Sequence, residues 1–145
     1  MAQITRDTLM TLEAYSSARD GFRKEVLAHK KHRTLGIGAH VTLLFEDELT
    51  MRYQIQEMLR AEKIVREEDI AHEIETYNEL LGEDGELGCT LFIEIEDGSA
   101  RAKKLREWLA LPEHVYVALA DGRRVFASFD ERQRAGQRFA VLLQP

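Results

Sequence analysis

The chain has 145 residues, of which 44% are hydrophobic and 32% are charged, and its formal net charge is −6 at pH 7. This size fits a single domain, residues 1–145, with a core of its own, and the composition excludes a disordered chain. The acidic charge argues against a general nucleic-acid or anionic-membrane binder, and without a signal-peptide core or an apolar run of about 18 residues we expect a cytoplasmic protein.

The first third of the chain predicts helices followed by a hairpin. Apolar residues at three- and four-residue steps up to His29 indicate two short helices, with a break near Ser16 to Gly21. The stretch RTLGIGAHVTLLFED then changes to alternating strand chemistry, and Gly36 and Gly38 mark a turn before Val41. We therefore expect a β-hairpin that leads into the next helix.

The stretch FEDELTMRYQIQEMLRAE predicts that next helix, with Asp47 or Thr50 as its N-cap. At about 100° per residue, one stripe of the helix is apolar and faces the core; it comprises Met51, Ile55, Met58 and Val65. A further helix is predicted from about Glu68 to Leu81, where Gly82 provides a stop.

The C-terminal half adds strands around one helix. CTLFIEIEDG alternates as a half-buried strand, in which Cys89 has a packing role, and SARAKKLREWLAL forms an amphipathic helix that Pro112 ends. Two strands flank Asp121-Gly122, a type I′ hairpin signal, and RFAVLL is the last strand. The predicted fold is α+β, a single mostly antiparallel or mixed sheet of about five strands packed by amphipathic helices, with the Met51 to Val65 helix on one face.

The side of the Met51 to Val65 helix opposite its apolar stripe is a candidate binding surface. Tyr53, Glu57 and Arg60 are neighbours there at three- and four-residue spacing, and Gln54 lies at the edge of the apolar stripe. An aromatic ring beside an arginine is typical of interface anchors. The alternative is a solvated face held by a weak ion pair, and the sequence leaves both interpretations open.

Four stretches carry a family resemblance. HKKHR, HVTLLFED, LTMRYQIQEMLRAE and ELLGEDG, in this order, resemble the bacterial domain of unknown function 3501 family, over nearly the whole chain. The resemblance implies an accessory role, because genes of this family often lie beside rubrerythrin-like and iron-sulfur oxidoreductase genes. On matching positions it directs attention to Gln54, Glu57, Met58, Arg60, Glu46 and His29.

Metal and catalytic motifs are weak. Asp69 and Glu68 precede His72 at helical spacing, but the paired E-x-x-H motifs of diiron bundles are absent from the sequence. Cys89 has no identifiable base beside it, and no nucleophile elbow occurs. We therefore predict no metal and no cofactor, and the sequence leaves open whether the protein is an enzyme.

Two functional hypotheses follow. The first is an accessory or adaptor protein of a redox or peroxide-protection system, whose Tyr53, Glu57 and Arg60 face docks a rubrerythrin-like or iron-sulfur partner or a second copy of the chain. The second is a small ligand-binding domain or enzyme with a polar pocket between helix and sheet. That pocket is lined by His29, Arg33, Glu46 and Gln54.

Overall fold

The computed structural model describes residues 3–129 and 138–143, and the chain divides into two compact units. One unit consists of Met1–Arg33 and Glu46–Gly82, and the other of Thr34–Phe45 and Glu83–Pro145. We call them the helical unit and the sheet unit. Of the four α-helices in the described ranges, none combines the length and apolar character needed to cross a membrane.

The helical unit contains three α-helices after a short 3₁₀ turn at Arg6–Thr8. They are α1 (Leu12–Lys30), α2 (Glu48–Ala61) and α3 (Glu67–Leu81). Buried residues from the N-terminal segment, α2 and α3 form one core: Ile4, Leu9, Met51, Ile55, Leu59, Ile70 and Leu81. The predicted start and end of α3 are confirmed to within one residue.

Helix α1 is continuous, so the predicted break between two short helices is wrong. A glycine inside a helix costs about 1 kcal/mol relative to alanine, and Gly21 was one signal for the break. Packing outweighs this cost, because Tyr15 and Val26, on either side of Gly21, are both fully buried. At the start of α1, the side chain of Thr11 accepts a hydrogen bond from Ala14 N.

Helix α2 begins with a capping box and ends with a tight backbone reversal. Asp47 and Thr50 exchange side-chain and backbone hydrogen bonds at its start, which confirms the predicted cap. After its last turn, Lys63 takes a positive φ of 53°, and Ile64 N donates to Leu59 O at 2.9 Å. This Schellman-type end turns Ile64 back toward the core.

Only part of the predicted apolar stripe of α2 is buried. Met51, Ile55 and Leu59 are buried, whereas Met58 is only half-buried. Val65 lies beyond the helix end and is 67% exposed, so the prediction that it faces the core is wrong.

Within the residues that the structure describes, the sheet unit contains six strands and one α-helix. The strands are β1 (Thr34–Ile37), β2 (Val41–Phe45), β3 (Leu87–Ile93), β4 (Tyr116–Ala118), β5 (Arg124–Phe129) and β6 (Arg138–Leu143). Helix α4 spans Gly98–Glu107, and a 3₁₀ turn follows at Leu111–His114. Every strand pairing is antiparallel, and the order of hydrogen-bonded neighbours is β1-β2-β3-β6-β5-β4. The predicted hairpin that leads into α2 is therefore confirmed as β1 and β2.

The structure is α+β, but the prediction of one five-stranded sheet is wrong. The first half of β5, Arg124–Phe126, pairs with β4, while Ala127–Phe129 pairs with β6. Because these ladders share no residue of β5, the β4–β5 hairpin forms a two-stranded ladder of its own, and the continuous strand β5 joins this ladder to the sheet of β1, β2, β3 and β6. Helix α2 contributes Met51, Ile55 and Leu59 to the core of the helical unit.

The sheet unit has its own hydrophobic core. It comprises the buried residues Leu43, Cys89, Leu91, Ile93 and Leu143. Cys89 is 2% exposed and has no disulfide, in agreement with its predicted packing role. Leu105 and Trp108, at the end of α4, pack against this core, although Trp108 is half-buried rather than largely buried.

The turn between β4 and β5 differs from the predicted type I′. Type I′ needs a positive φ at both central residues, and only Gly122 of the pair has one, at 89°. Gly122 N donates to Leu119 O at 3.0 Å, and Leu119 N donates to Arg123 O at 2.8 Å. These bonds describe a three-residue loop, in which a turn is followed by a glycine bulge.

Candidate functional site

Glu57 lies at the centre of a polar cluster between α1 and α2. Arg19 donates to both oxygens of its carboxylate, with Nε–Oε2 at 2.9 Å and Nη2–Oε1 at 2.8 Å. The hydroxyl groups of Tyr15 and Tyr53 also donate to it, at 2.7 and 3.3 Å. The hydrogen bonds from Arg19, followed by that from Tyr15, lower the pKa of Glu57 to about 2 against the opposing effect of burial.

The rings around this cluster are packed together. Phe22 meets both Tyr15 and Tyr53 edge-on, with ring centroids 6.2 and 5.9 Å apart. The ammonium group of Lys30 lies 5.3 Å from the Tyr53 ring centroid. Burial, followed by the charge of Glu57, raises the pKa of the Tyr53 hydroxyl. The cluster therefore holds α1 against α2.

The predicted docking face of α2 is mostly internal. Tyr53 is 9% exposed and Glu57 is occupied by α1, which leaves Arg60 as the exposed member of the three. The helical projection suggested one buried stripe, but α2 has neighbours on two sides, α1 and α3. Tyr53 and Glu57 have a packing role in the structure, and the role of all three residues in binding stays a prediction.

His29 and Arg33, two of the four residues predicted to line one polar pocket, meet at Asp47. His29 Nε2 lies 2.5 Å from Asp47 Oδ2, and Arg33 Nε lies 3.4 Å from the same oxygen. Arg33 Nη2 also donates to Glu46 O at 3.4 Å, and the Glu46 side chain is buried. Burial acts to raise the pKa of Asp47, but the N–H of Thr50, together with His29 and Arg33, holds that pKa below its usual value.

Asp47 and Gln54 have different positions in this region from those that the sequence predicted. Asp47 was predicted only as a helix cap, although its position next to Glu46 and before the helix was a signal for a wider role. Gln54 is half-buried on α2, and within the described residues it makes no hydrogen bond to the Asp47 group.

Two carboxamides that fix the N-terminal segment, those of the buried Gln56 and the half-buried Asn78, were not predicted from the sequence. Gln56 is fully buried; its Oε1 accepts from Met10 N at 2.6 Å, and its Nε2 donates to Met10 O at 3.4 Å. Asn78 binds Ile4 in the same way, at 2.8 and 2.9 Å. These partners are 46 and 74 residues apart in the chain, so no local pattern could have indicated them.

The sheet unit carries an exposed group of interface-type residues, Tyr116, Arg124 and Phe126, which we call the ribbon patch. Tyr116 and Phe126 are directly opposite each other on β4 and β5, with ring centroids 5.3 Å apart, and they are 41% and 54% exposed. The Arg124 guanidinium lies 4.8 Å from the Tyr116 ring centroid. Val117 and Val125, on the opposite face, are half-buried. The sequence predicted this hairpin. Its exposed face was not predicted, although the alternation of exposed and half-buried residues along β5 follows the period of a strand.

The described ranges contain no group of three or more histidine, cysteine, aspartate or glutamate side chains arranged to hold a metal ion. His72, which the sequence analysis weighed with Glu68 and Asp69, is exposed on α3 together with them.

The two units define a small α+β protein with an internal ion-pair cluster and an exposed aromatic ribbon. The chain belongs to the family described as protein of unknown function, DUF3501, whose model matches residues 3–142. This confirms the resemblance seen in the sequence. The comparison with curated proteins finds no match.

Among solved structures, the chain is similar to a novel protein of unknown function from Burkholderia pseudomallei K96243, determined by crystallography at 1.90 Å resolution. The two are 37% identical with a TM-score of 0.91, and the match covers 99% of this chain and 78% of that chain. The fold is therefore shared with that protein.

Proposed function

We propose that this protein is an accessory protein that binds a partner protein through the ribbon patch. The observation that carries the proposal is the exposed pairing of Tyr116 with Phe126 beneath the guanidinium of Arg124. Tyrosine and arginine are enriched among residues that dominate binding energy, and aromatic residues in general are enriched at interfaces.

The geometry of the ribbon supports docking rather than ligand binding in a pocket. The rings of Tyr116 and Phe126 lie side by side on the exposed face of a two-stranded hairpin, whereas small-molecule sites are concave. The two rings already contact each other, and the Arg124 guanidinium lies over the ring of Tyr116. They would therefore lose little conformational freedom when a partner covers them.

The family resemblance supports a particular class of partner. Neighbouring genes of the family often encode rubrerythrin-like and iron-sulfur oxidoreductase proteins, so we direct the proposal to a redox or peroxide-protection system. The partner would be one of these proteins, and the accessory protein would contribute a binding surface rather than a redox centre.

Capture from the native host tests the proposal. The tagged chain and a Tyr116→Thr/Phe126→Thr variant would be expressed at equal levels, and the retained proteins identified by mass spectrometry. We expect a rubrerythrin-like or iron-sulfur protein to be retained by the parent and lost from the variant. A partner retained equally by both would contradict the ribbon patch as the docking surface.

A second candidate function is small-ligand binding or catalysis in the helical unit. It is supported by the meeting of His29 and Arg33 at Asp47, on side chains that are 34%, 29% and 19% exposed. Because Asp47 contacts Nε2 of His29, Nδ1 is the ring nitrogen that a ligand would use. A metabolite screen by ligand-observed NMR tests it: hits lost in His29→Gln would support it, and hits that bind both proteins equally would contradict it.

A further inference from the structure

The helical unit contains an apolar cleft that the proposed docking through the ribbon patch does not use. Its volume is about 290 Å³, and it lies between the N-terminal segment, the start of α1, the end of α2 and the start of α3. Its apolar lining consists of Met10, Leu12, Leu59, Ile64, Val65 and Ile70.

The cleft is held open by features built into the fold. Leu59 and Ile70 are 3% and 6% exposed and belong to the core, so they form its floor. Gln56 fixes the backbone of Met10 on one side through two hydrogen bonds. The Schellman-type end of α2 positions Ile64 on the other side. A preformed cleft avoids the ordering cost of forming a site on binding.

The size of the cleft selects what can occupy it. Sites for drug-sized molecules and cofactors start at about 300 Å³ and extend to roughly 1,000 Å³, so 290 Å³ lies just below that range. A single large apolar side chain fits this scale, in the manner of an interface anchor inserted into a pocket. Val65, 67% exposed at the entrance, adds apolar surface that such an anchor would cover.

The charged residues near the cleft indicate which residues would flank that apolar side chain in a partner. In the bordering segments 6–13 and 61–69, six acidic residues stand against three basic ones, and all nine are exposed: Asp7, Glu13, Glu62, Glu67, Glu68 and Asp69 against Arg6, Lys63 and Arg66. Arg6 and Arg66 are already paired with Glu67 and Glu68, at 2.9 and 2.8 Å. The remaining charge is negative, which favours a basic partner.

We propose that this cleft receives one large apolar side chain presented by a basic segment of a partner protein. The cleft is formed by residues of the helical unit alone, and the ribbon patch by residues of the sheet unit alone. The cleft is therefore a separate binding site, and together the two sites would let the protein act as an adaptor with two surfaces.

Designed peptides test this proposal directly on the full chain. The probe is a fluorescein-labelled helical peptide with one central phenylalanine flanked by lysines. Two matched peptides replace the phenylalanine by alanine or the lysines by glutamates. Fluorescence anisotropy should show saturable binding of the probe and at least tenfold weaker binding of both matched peptides, with affinity falling as salt is added.

Matched protein variants locate the binding site. Val65→Arg places a bulky positive charge at the entrance of the cleft, whereas Leu27→Arg makes the same charge change on α1, at a side chain that is 47% exposed and does not line the cleft. We expect Val65→Arg to weaken probe binding at least tenfold and Leu27→Arg to change it less than threefold, with thermal unfolding of both close to the parent.

Several results would overturn the proposal. They are no binding of the basic probe, equal binding of the acidic or alanine peptide, or equal weakening by Val65→Arg and Leu27→Arg. None of these results bears on the ribbon patch, since Tyr116 and Phe126 are unchanged in every variant. Failure of the cleft proposal is therefore distinguishable from failure of the proposed function.

Discussion

Arg19 of α1 and Glu57 of α2 form a two-point ion pair, with Nε–Oε2 and Nη2–Oε1 distances of 2.9 and 2.8 Å, and their side chains are only 25% and 21% exposed. Ion pairs on exposed surfaces contribute little, because solvent screens them. Here the geometry is bidentate, and Tyr15 and Tyr53 also donate to the carboxylate. The side of α2 that resembles a docking face in the sequence is thus a helix-to-helix contact.

Replacing Glu57 by glutamine should lower the free energy of unfolding by about 2 to 3 kcal/mol, because it removes the charge that Arg19 and the two tyrosine hydroxyls share. Urea unfolding followed by circular dichroism measures it. Glu48→Gln is the control, since Glu48 makes an i,i+4 pair with Arg52 on the same helix, and it should cost a few tenths of a kcal/mol. Equal losses in the two variants would show that the cluster adds nothing beyond a surface pair.

The stabilising effect of Glu57 should disappear in acid. Its pKa is about 2 in the folded protein against an ordinary value of 4.5. Because the folded-state pKa is the lower one, the unfolded chain takes up the proton first as the pH falls. The contribution is complete above about pH 4.5 and is lost on the way down to about pH 2.

Unfolding free energies of the parent and Glu57→Gln from pH 6 to pH 2 check this dependence. The difference between the two proteins should be constant above about pH 5 and shrink toward zero near pH 2. Other carboxylates titrate in both proteins and cancel in the comparison. A difference that stays the same across this range would mean that the charge of Glu57 does not stabilise the fold.

Gln56→Met should release the N-terminal segment from α2. Methionine keeps the length of the side chain but leaves Met10 N–H and C=O without their carboxamide partner, at a cost of about 1 to 3 kcal/mol. Hydrogen exchange at the Met10 amide should accelerate. Gln54→Met, a half-buried position on the same helix, is the control and should stay within about 0.5 kcal/mol of the parent. Unchanged exchange at Met10 in Gln56→Met would contradict the clamp.

Ile93→Ala should destabilise the sheet unit. Ile93 is 0% exposed in the core of that unit, and truncating such a side chain costs about 2 to 5 kcal/mol when the cavity cannot collapse. Ile37, on β1, is 46% exposed, so Ile37→Ala should cost less than about 1 kcal/mol. Unfolding followed by the fluorescence of Trp108 compares the two, and similar losses would argue against a core centred on Ile93.

Local sequence patterns predicted the positions of helices and strands well, but they predicted less well which of these elements contact each other. The hairpin before α2, the capping box of Asp47 and Thr50, and the end of α3 at Gly82 were all readable, because each depends on neighbouring residues. Helix α1 was predicted as two helices, since the gain from burying Tyr15 and Val26 depends on contacts that sequence spacing does not show. The same applies to β5, whose two halves pair with different strands.

The candidate site shows the same difference between local signals and long-range contacts. His29 and Arg33 meet at Asp47, and the backbone carbonyl of Glu46 accepts from Arg33. The role of these residues in a ligand pocket stays a prediction. Tyr53 was assigned to a free face because periodicity gives the direction of a side chain but not the number of its neighbours. The carboxamide of Gln56 had no local signal, since its partner is 46 residues away.

The measurement that bears most directly on the central claim is the affinity of the parent for its captured partner, compared with that of Tyr116→Thr/Phe126→Thr. Threonine preserves strand propensity, and Leu109→Thr is the control because Leu109 is 55% exposed in the same unit outside the ribbon. Analytical ultracentrifugation should show at least a tenfold loss of affinity in the double variant, about 1.4 kcal/mol, with the control and the parent alike. Equal affinities for the double variant and the parent would contradict docking through the ribbon patch.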